Sequence, residues 1–288
     1  MNQQEVIPDP DILRNLRGKI VVIKYGGNAM TDDALKHGVM DDIVTLRDLG
    51  LKPVVVHGGG PVIKETLDEA GIISEFVGGH RITDETAMRY VEMALRGTVN
   101  GNLVSLLNSR GGRAVGISGK DGALASVEKR THRITNEDGS REVDLGHVGN
   151  VTGINPELVL CLLDNGFIPV IAPVSLGGDG KDYNINADMF AGHLSAALKA
   201  AAYIVLTDVD GLMEDITDPE SMIHEVSLSR LQEIMSDIVR GGMIPKVESC
   251  FISLQSSQGK ALIINGTKPH GILKAMLTQH PTGTQIIA

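Results

Sequence analysis

Two lysines stand out because of what surrounds them. Lys24 closes a β-branched run in "VIKYGGNAM", just before Gly26 and Gly27. Lys246 follows a proline in "GGMIPK", in what reads as the first turn of a helix, where a cation opposes the helix dipole. An ammonium at the carboxyl edge of an apolar strand is a compact, partly desolvated point charge, and that suits a phosphoryl group. A second glycine cluster, Gly58, Gly59 and Gly60 in "PVVVHGGGP", sits between a strand and a helix opened by Pro61. Free N–H groups at a helix N-terminus make an anion site by geometry and dipole. Three consecutive glycines cost more backbone entropy than a tight turn needs, which favours a cradle over a plain turn.

Polar residues gather at other loop ends. "YNINAD" places Asn184, Asn186 and Asp188 just before and within the first turn of a helix. N-capping explains one of the three. An amide can also bond a carboxylate substrate, and an aspartate between two lysines can hold both. "GGHRITDE" puts Arg81, a natural bidentate partner of a carboxylate, in a glycine-rich loop. His57 and His80 are isolated histidines, which more often serve structure than catalysis. No His/Cys/Asp spacing suggests a protein-bound metal. No dinucleotide fingerprint marks the glycine clusters, and no P-loop pattern occurs in the chain. Two lysines, two glycine cradles, an arginine and an Asn/Asp cluster favour phosphoryl transfer from a nucleotide to a small anionic acceptor. A carboxylate acceptor is already ionised at neutral pH, so the absence of an evident Ser-His or Cys-His nucleophile is no obstacle.

The elements that must position these groups follow from the apolar pattern. The predicted strands are Lys19–Tyr25, Pro53–His57, Arg113–Ser118, Phe167–Val174, Tyr203–Thr207, Lys260–Ile264 and 284–287. Helices alternate with them: a short one at Asp11–Arg17, one capped within Thr31–Asp33 and ended by Gly50, and one from Pro61 to Gly71. A long helix runs from Thr83–Asp84 to about Arg110. Further helices are read from Asn155-Pro156 to Asn165, over Asp188–Ala200, from Ser229 with a capping box to Gln232, from Lys246 to about Ser257, and near 270–278. Residues 126–152, with the turn "EDGS", read as projecting antiparallel strands. Near-continuous apolar strands alternating with helices predict an α/β fold with a mostly parallel sheet covered on both faces. Ligands in such sheets sit at the carboxyl ends of the strands, where every glycine cluster falls. The loop at 175–187 reads as the boundary between two lobes.

Bulk properties narrow the partners. The chain has 288 residues and a net charge of −10, a poor match for nucleic acid or an anionic membrane. Its 34 glycines exceed the count of about 20 that average usage gives, without any period. Cys161 and Cys250 form no CxxC pair and read as buried structural thiols of a reducing compartment. No signal-peptide core and no apolar run near 18 residues is present, which reads as cytoplasmic.

Taken in order, "KYGGNAM", "VVVHGGGPVI", "GGHRITD", "GISGKDG", "DLGHVGNVTGINP", "YNINAD", "LTDVDGL" and "GGMIPKV" resemble the amino-acid kinase family. Within it they are most similar to the branch that phosphorylates N-acetyl-L-glutamate in arginine biosynthesis. The resemblance implies a three-layer αβα sandwich. Its N-terminal lobe, 1–175, would bind acetylglutamate and form a homodimer, and its C-terminal lobe, 176–288, would bind ATP. By motif position, Lys24 and Lys246 would stabilise the phosphoryl group in transfer and Asp188 would organise them. Gly27 and Gly59 would donate N–H bonds to that group. Gly26, Gly58 and Asp208 would join the phosphoryl and nucleotide site. Gly59, Gly60, Arg81 and Asn184 would bind acetylglutamate. Magnesium would arrive with the ATP phosphates. Arginine-inhibited members resemble this chain around "DILRNLRGKIVVIKYGG" and use an N-terminal helix to join dimers into a hexamer. Here Pro8 and Pro10 shorten any such helix, and His280-Pro281 replace a usual acidic residue and glycine. L-arginine as a feedback inhibitor is therefore an open expectation. A kinase for free glutamate, aspartate or an aminoadipate derivative is the competing reading.

Overall fold

Valine and isoleucine runs decide the centre of the molecule. The computed structural model describes residues 6–30, 32–136, 139–215, 217–255, 259–279 and 282–288. Ile20–Tyr25, Lys52–His57, Ile168–Ala172 and Ala202–Thr207 are almost wholly buried strands, as β-branched residues packed on both faces should be. They lie in an eight-stranded sheet. Its order runs Glu225–Ser227, Thr284–Ile287, Lys260–Asn265, Ala202–Thr207, Ile20–Tyr25, Lys52–His57, Ile168–Ala172, Ala114–Ser118. The last six are mutually parallel, and Thr284–Ile287 runs antiparallel to its neighbour Lys260–Asn265.

Strand alternation sorts the side chains into two cores. Val21, Ile23 and Tyr25 face the helices Asp33–Asp48, Asn100–Asn108 and Gly271–Leu277. Val22, Val54, Val56, Tyr203 and Val205 face the helices Ala187–Ala197, Leu228–Ile238 and Ile244–Leu254. The result is the α/β sandwich expected, helices on both faces of a mostly parallel sheet. Each fully buried Leu, Ile or Val contributes about 1.5–3 kcal/mol. By the same alternation Lys24 shares the face of Val22, where the helix Ala187–Ala197 packs.

A second, four-stranded sheet projects beside the first, in the order Ala125–Asn136, Gly139–Ile154, Asp182–Ile185, Val174–Leu176. The antiparallel arms were expected. Their turn residues 137–138 lie outside the described residues, as do Thr31, Ser257 and His280-Pro281. The stretch 175–187, read as a loop, is instead a hairpin of that sheet, Tyr183 pairing with Ser175. Its alternation of buried Tyr183 and Ile185 with half-buried Asp182 and Asn184 is a strand pattern that the surrounding glycines obscure.

Other expectations shift in detail. The long helix is three segments: Glu85–Glu92, a π-helical stretch Met93–Val99, and Asn100–Asn108. The helix expected to be capped at Ser229 is capped by Ser227, whose hydroxyl accepts from the Arg230 N–H at 3.2 Å. The helix therefore starts two residues earlier than expected, and its Leu231 is buried in the core. Cys250 is buried as expected, but Cys161 lies on the outer side of the helix Glu157–Asp164 and is exposed. The short strands Leu212–Met213, Met222–Ile223 and Glu225–Ser227 have no apolar run to announce them.

Candidate active site

The carboxyl ends of the central strands carry the site. Lys24 stands beside Val56 on one neighbouring strand and Val205 on the other, and only 6% of it is exposed. Its ammonium lies 3.1 Å from Asp188 Oδ1. Lys246 lies 3.8 Å from Asp188 Oδ2. One buried carboxylate thus holds two lysines that are 222 positions apart in sequence. The Lys24 contact is an ion pair without an aligned hydrogen bond, which leaves directional bonding capacity on both groups. Burial pushes the Lys246 ammonium below the ordinary lysine range; Asp188 opposes that shift, Lys24 adds to it, and Asp208 opposes it. Asp208 follows the strand Ala202–Thr207 and so belongs to the same electrostatic neighbourhood.

Helix packing sets these distances. Ala187–Ala197 and Ile244–Leu254 cross closely because Gly192 lies against the backbone of Ser249, where a Cβ would come within 2.6 Å of the Ser249 carbonyl. Hydroxyls lock the crossing. Ser253 donates to Ser195 at 2.8 Å, Tyr203 donates to Ser249 Oγ at 3.0 Å, and Ser249 donates to the Lys246 carbonyl at 2.6 Å. Asn186 is the N-cap, accepting from the Asp188 and Met189 amides at 2.9 and 3.2 Å. Of the three polar residues in "YNINAD", Asn186 therefore caps, Asp188 organises the lysines, and Asn184 is left on the strand Asp182–Ile185.

The two glycine turns lie side by side. A Cβ on Gly26 would sit 3.3 Å from Lys24 Nζ and 3.5 Å from the Gly58 nitrogen. Gly27 has φ +69°, a left-handed conformation that favours glycine. A Cβ on Gly59 would reach 2.7 Å from Leu95 Cδ2 and 3.1 Å from Val99 Cγ2, so the turn packs closely on the π-helical stretch and any side chain there would have to displace those two. Gly60 opens the helix Gly60–Glu69 and faces open space. No side chain caps this helix, whereas Asp32, Asp84, Asn186 and Ser227 cap four others. Its first amides lack intrahelical acceptors and are available to an anion. The Gly58 N–H donates to the Tyr25 carbonyl at 2.8 Å, continuing the sheet ladder into the turn.

Arg81 lies against the same turn. It is 9% exposed, stacks over the Phe76 ring at 4.6 Å, donates to Ser74 Oγ, and reaches the Gly60 carbonyl at 3.4 Å. Its segment is tied to the second sheet by Thr83, which bonds the backbone of Leu145 and His147. Asn184 pairs with Val148 of that sheet. Beside Asn186 lies a cavity of about 180 Å³ lined by His80, Arg130, Val148, Met189 and His193.

His57 and His80 are both kept neutral by burial. His57 is fully buried, its Nδ1 bonded to the Gly58 carbonyl at 2.8 Å and its Nε2 to Asn100 at 3.0 Å. Burial pulls its pKa down to about 4. His80 is likewise lowered to about 4 by burial, Arg130 and His132. Asn100, missed in the sequence, holds the "HGGGP" turn in place by binding both His57 and the Val170 carbonyl. Its signal in the sequence was weak, because Asn102, Ser105 and Asn108 lie on the same helix. Among the described residues no group of three or more His, Cys, Asp or Glu side chains is arranged to hold a metal ion.

The "Amino acid kinase family" model matches residues 19–265. The chain belongs to the amino acid kinase family. Among its relatives it is 46% identical to the acetylglutamate kinase of Heliobacterium modesticaldum over 277 residues, 96% of this chain and 94% of that one. It is 44% identical to the acetylglutamate kinase of Methanocaldococcus jannaschii over 295 residues, 99% of this chain and 98% of that one. These full-length relationships make it an enzyme of the acetylglutamate kinase type. A solved protein of Streptococcus mutans UA159 shares 27% identity at TM-score 0.73, covering 93% of this chain and 98% of its own. Giardia carbamate kinase shares the fold at TM-score 0.68 and 18% identity, covering 94% of this chain and 99% of its own. In this member of the amino acid kinase family, then, both lysines, the organising aspartate and the two glycine turns meet at one sheet edge. The second sheet carries Asn184 and is bonded through Thr83 to the segment that holds Arg81.

Proposed function

We propose that the chain catalyses ATP-dependent phosphorylation of the side-chain carboxylate of N-acetyl-L-glutamate, giving N-acetyl-L-glutamyl 5-phosphate and ADP, a step of arginine biosynthesis in the cytoplasm. The observation that carries this reading is Asp188 held between Lys24 and Lys246 beside two glycine turns. The names of the full-length relatives support the acceptor.

A carboxylate oxygen attacks the γ-phosphorus in line, and the bond to the β–γ bridging oxygen breaks with its electron pair leaving on ADP. The acceptor needs no base, because it is ionised at neutral pH. The chain supplies position and charge. Lys24 faces the transferring group from the strand end, and Lys246 faces it from the helix start. Asp188 keeps the two ammonium groups together against their mutual repulsion. The Gly27 and Gly59 amides complete the cradle, with Gly26 allowing close approach. Gly60, Arg81 and Asn184 hold the acid, and Asp208 lies on the nucleotide side. Magnesium, when bound, travels with the ATP phosphates and neutralises their charge. A cation that keeps several waters and takes one or two carboxylates plus substrate phosphates needs no protein cage.

The proposal extends to a homodimer, with a hexamer and L-arginine feedback as its regulated form. Activity that stays flat up to millimolar arginine would remove the regulatory part. The acceptor is tested with Mg-ATP, hydroxylamine and a panel of acids, reading acyl hydroxamate. Strong signal with N-acetylglutamate and little with free glutamate, aspartate or an aminoadipate derivative is expected. Equal turnover of free glutamate would sink the assignment.

A further inference from the structure

The motif "GISGKDG" has no part in the chemistry above, yet it builds a charged junction. Lys120 Nζ donates to Glu92 Oε1 at 2.7 Å and to Asp182 Oδ2 at 2.9 Å. Burial works against its charge, but Glu92 and Asp182 outweigh that and hold the ammonium above the ordinary lysine range. Arg96 joins the same Glu92 at 3.4 Å and Asp121 at 3.1 Å. Asp121 is itself fixed by the Ser118 amide and hydroxyl at 2.6 and 2.7 Å. Gly119 passes so close to Ser175 and Phe190 that no side chain fits, so the loop is seated rather than free.

The two carboxylates that Lys120 bridges come from different walls of the acceptor side. Glu92 is the last residue of the helix Glu85–Glu92, and the π-helical stretch that follows supplies Leu95 and Val99, which pack on Gly59. Asp182 opens the strand Asp182–Ile185, which carries Asn184 and leads into Asn186. The Asp182 carbonyl also accepts from His147 at 2.7 Å, beside the cavity-lining Val148.

We propose that Lys120 is a positioning residue for the acyl-amino-acid acceptor, clamping the Asn184 strand to the helix that seats the Gly59 turn. This rests on the functional reading above. Without its ammonium, Glu92 and Asp182 become two like charges facing each other, and repulsion opens the acceptor side. On the nucleotide side, built on Asp208 and Lys246, the Lys246 ammonium pairs with Asp188.

The test is steady-state kinetics of the full chain with N-acetylglutamate and Mg-ATP, on wild type, Lys120→Met and Lys120→Arg. Loss of this charged contact in Lys120→Met should raise the KM for acetylglutamate about tenfold, with kcat and the KM for ATP within about twofold. Lys120→Arg should restore the acceptor KM to within about threefold, because a cation again separates the carboxylates. If Lys120→Met does not fold, Asp182→Asn must show the same split. Unchanged constants, a fall in kcat alone, or equal rises in both KM values would overturn the proposal. A wild type that turns over no acetylglutamate would sink the functional reading first, and the proposal with it.

Discussion

Acidification from pH 7 to pH 5 should destabilise the folded chain by about 2 kcal/mol through His57 alone. The imidazole is fully buried, and burial lowers its pKa from 6.5 to about 4. Between those values the unfolded chain binds a proton that the folded chain refuses. Stability from this group is therefore complete above pH 6.5 and is lost as pH falls toward about 4. At about 1.36 kcal/mol per pKa unit, the whole window is worth roughly 3 kcal/mol, and about 2 of that falls between pH 7 and pH 5. Protonation would also place a donor at Nε2 facing the Asn100 amide, which already donates there. Urea denaturation of wild type and His57→Gln at both pH values measures the effect. The variant starts lower, because the Gly58 carbonyl and Asn100 lose a well-fitted partner, but it should lack this share of the pH dependence. His80 titrates in both proteins and cancels. Equal loss of stability in the two proteins on acidification would refute the reasoning.

Further outcomes follow from the same geometry. The Lys246 ammonium, held below the ordinary lysine value by burial, loses its proton earlier as pH rises; kcat should fall on the alkaline side below pH 10.5, and Lys246→Arg, whatever its residual rate, should lose that limb. Gly59→Ala must push Leu95 and Val99 aside, so thermal melting should show about 1–3 kcal/mol of lost stability, with a raised acceptor KM. Gly60→Ala meets nothing within 4 Å and should leave stability within about 0.5 kcal/mol, as surface substitutions usually do.

Most of the framework was legible because it rests on period. The Val/Ile runs at Ile20–Tyr25, Lys52–His57 and Ala202–Thr207 admit little but buried strands, and glycine at their ends marks the working edge. The lysines could be picked out as odd charges in apolar or opposing surroundings. What period cannot show is partnership. Nothing in "YNINAD" distinguishes the capping Asn186 from the lysine-organising Asp188: the cap is local to one helix, whereas the Lys246 contact depends on how two helices cross at Gly192 and Ser249. The π-helical stretch answers to a tertiary demand, with Leu95 and Val99 on Gly59 and Asn100 on His57, and local propensity carries no trace of it. A glycine in a cradle and a glycine completing a ladder look alike in sequence, and only the structure shows the Gly58 N–H bonded to Tyr25.

The central claim is that two lysines held by one aspartate stabilise the phosphoryl group in flight. Hydroxamate formation from acetylglutamate by wild type, Lys24→Ala and Lys246→Ala, with nucleotide binding measured alongside, tests it most directly. Each variant should still fold and bind ATP but lose at least about 100-fold in kcat, the scale of removing one preorganised charge stabiliser. A Lys24→Ala protein that keeps wild-type kcat would contradict the account.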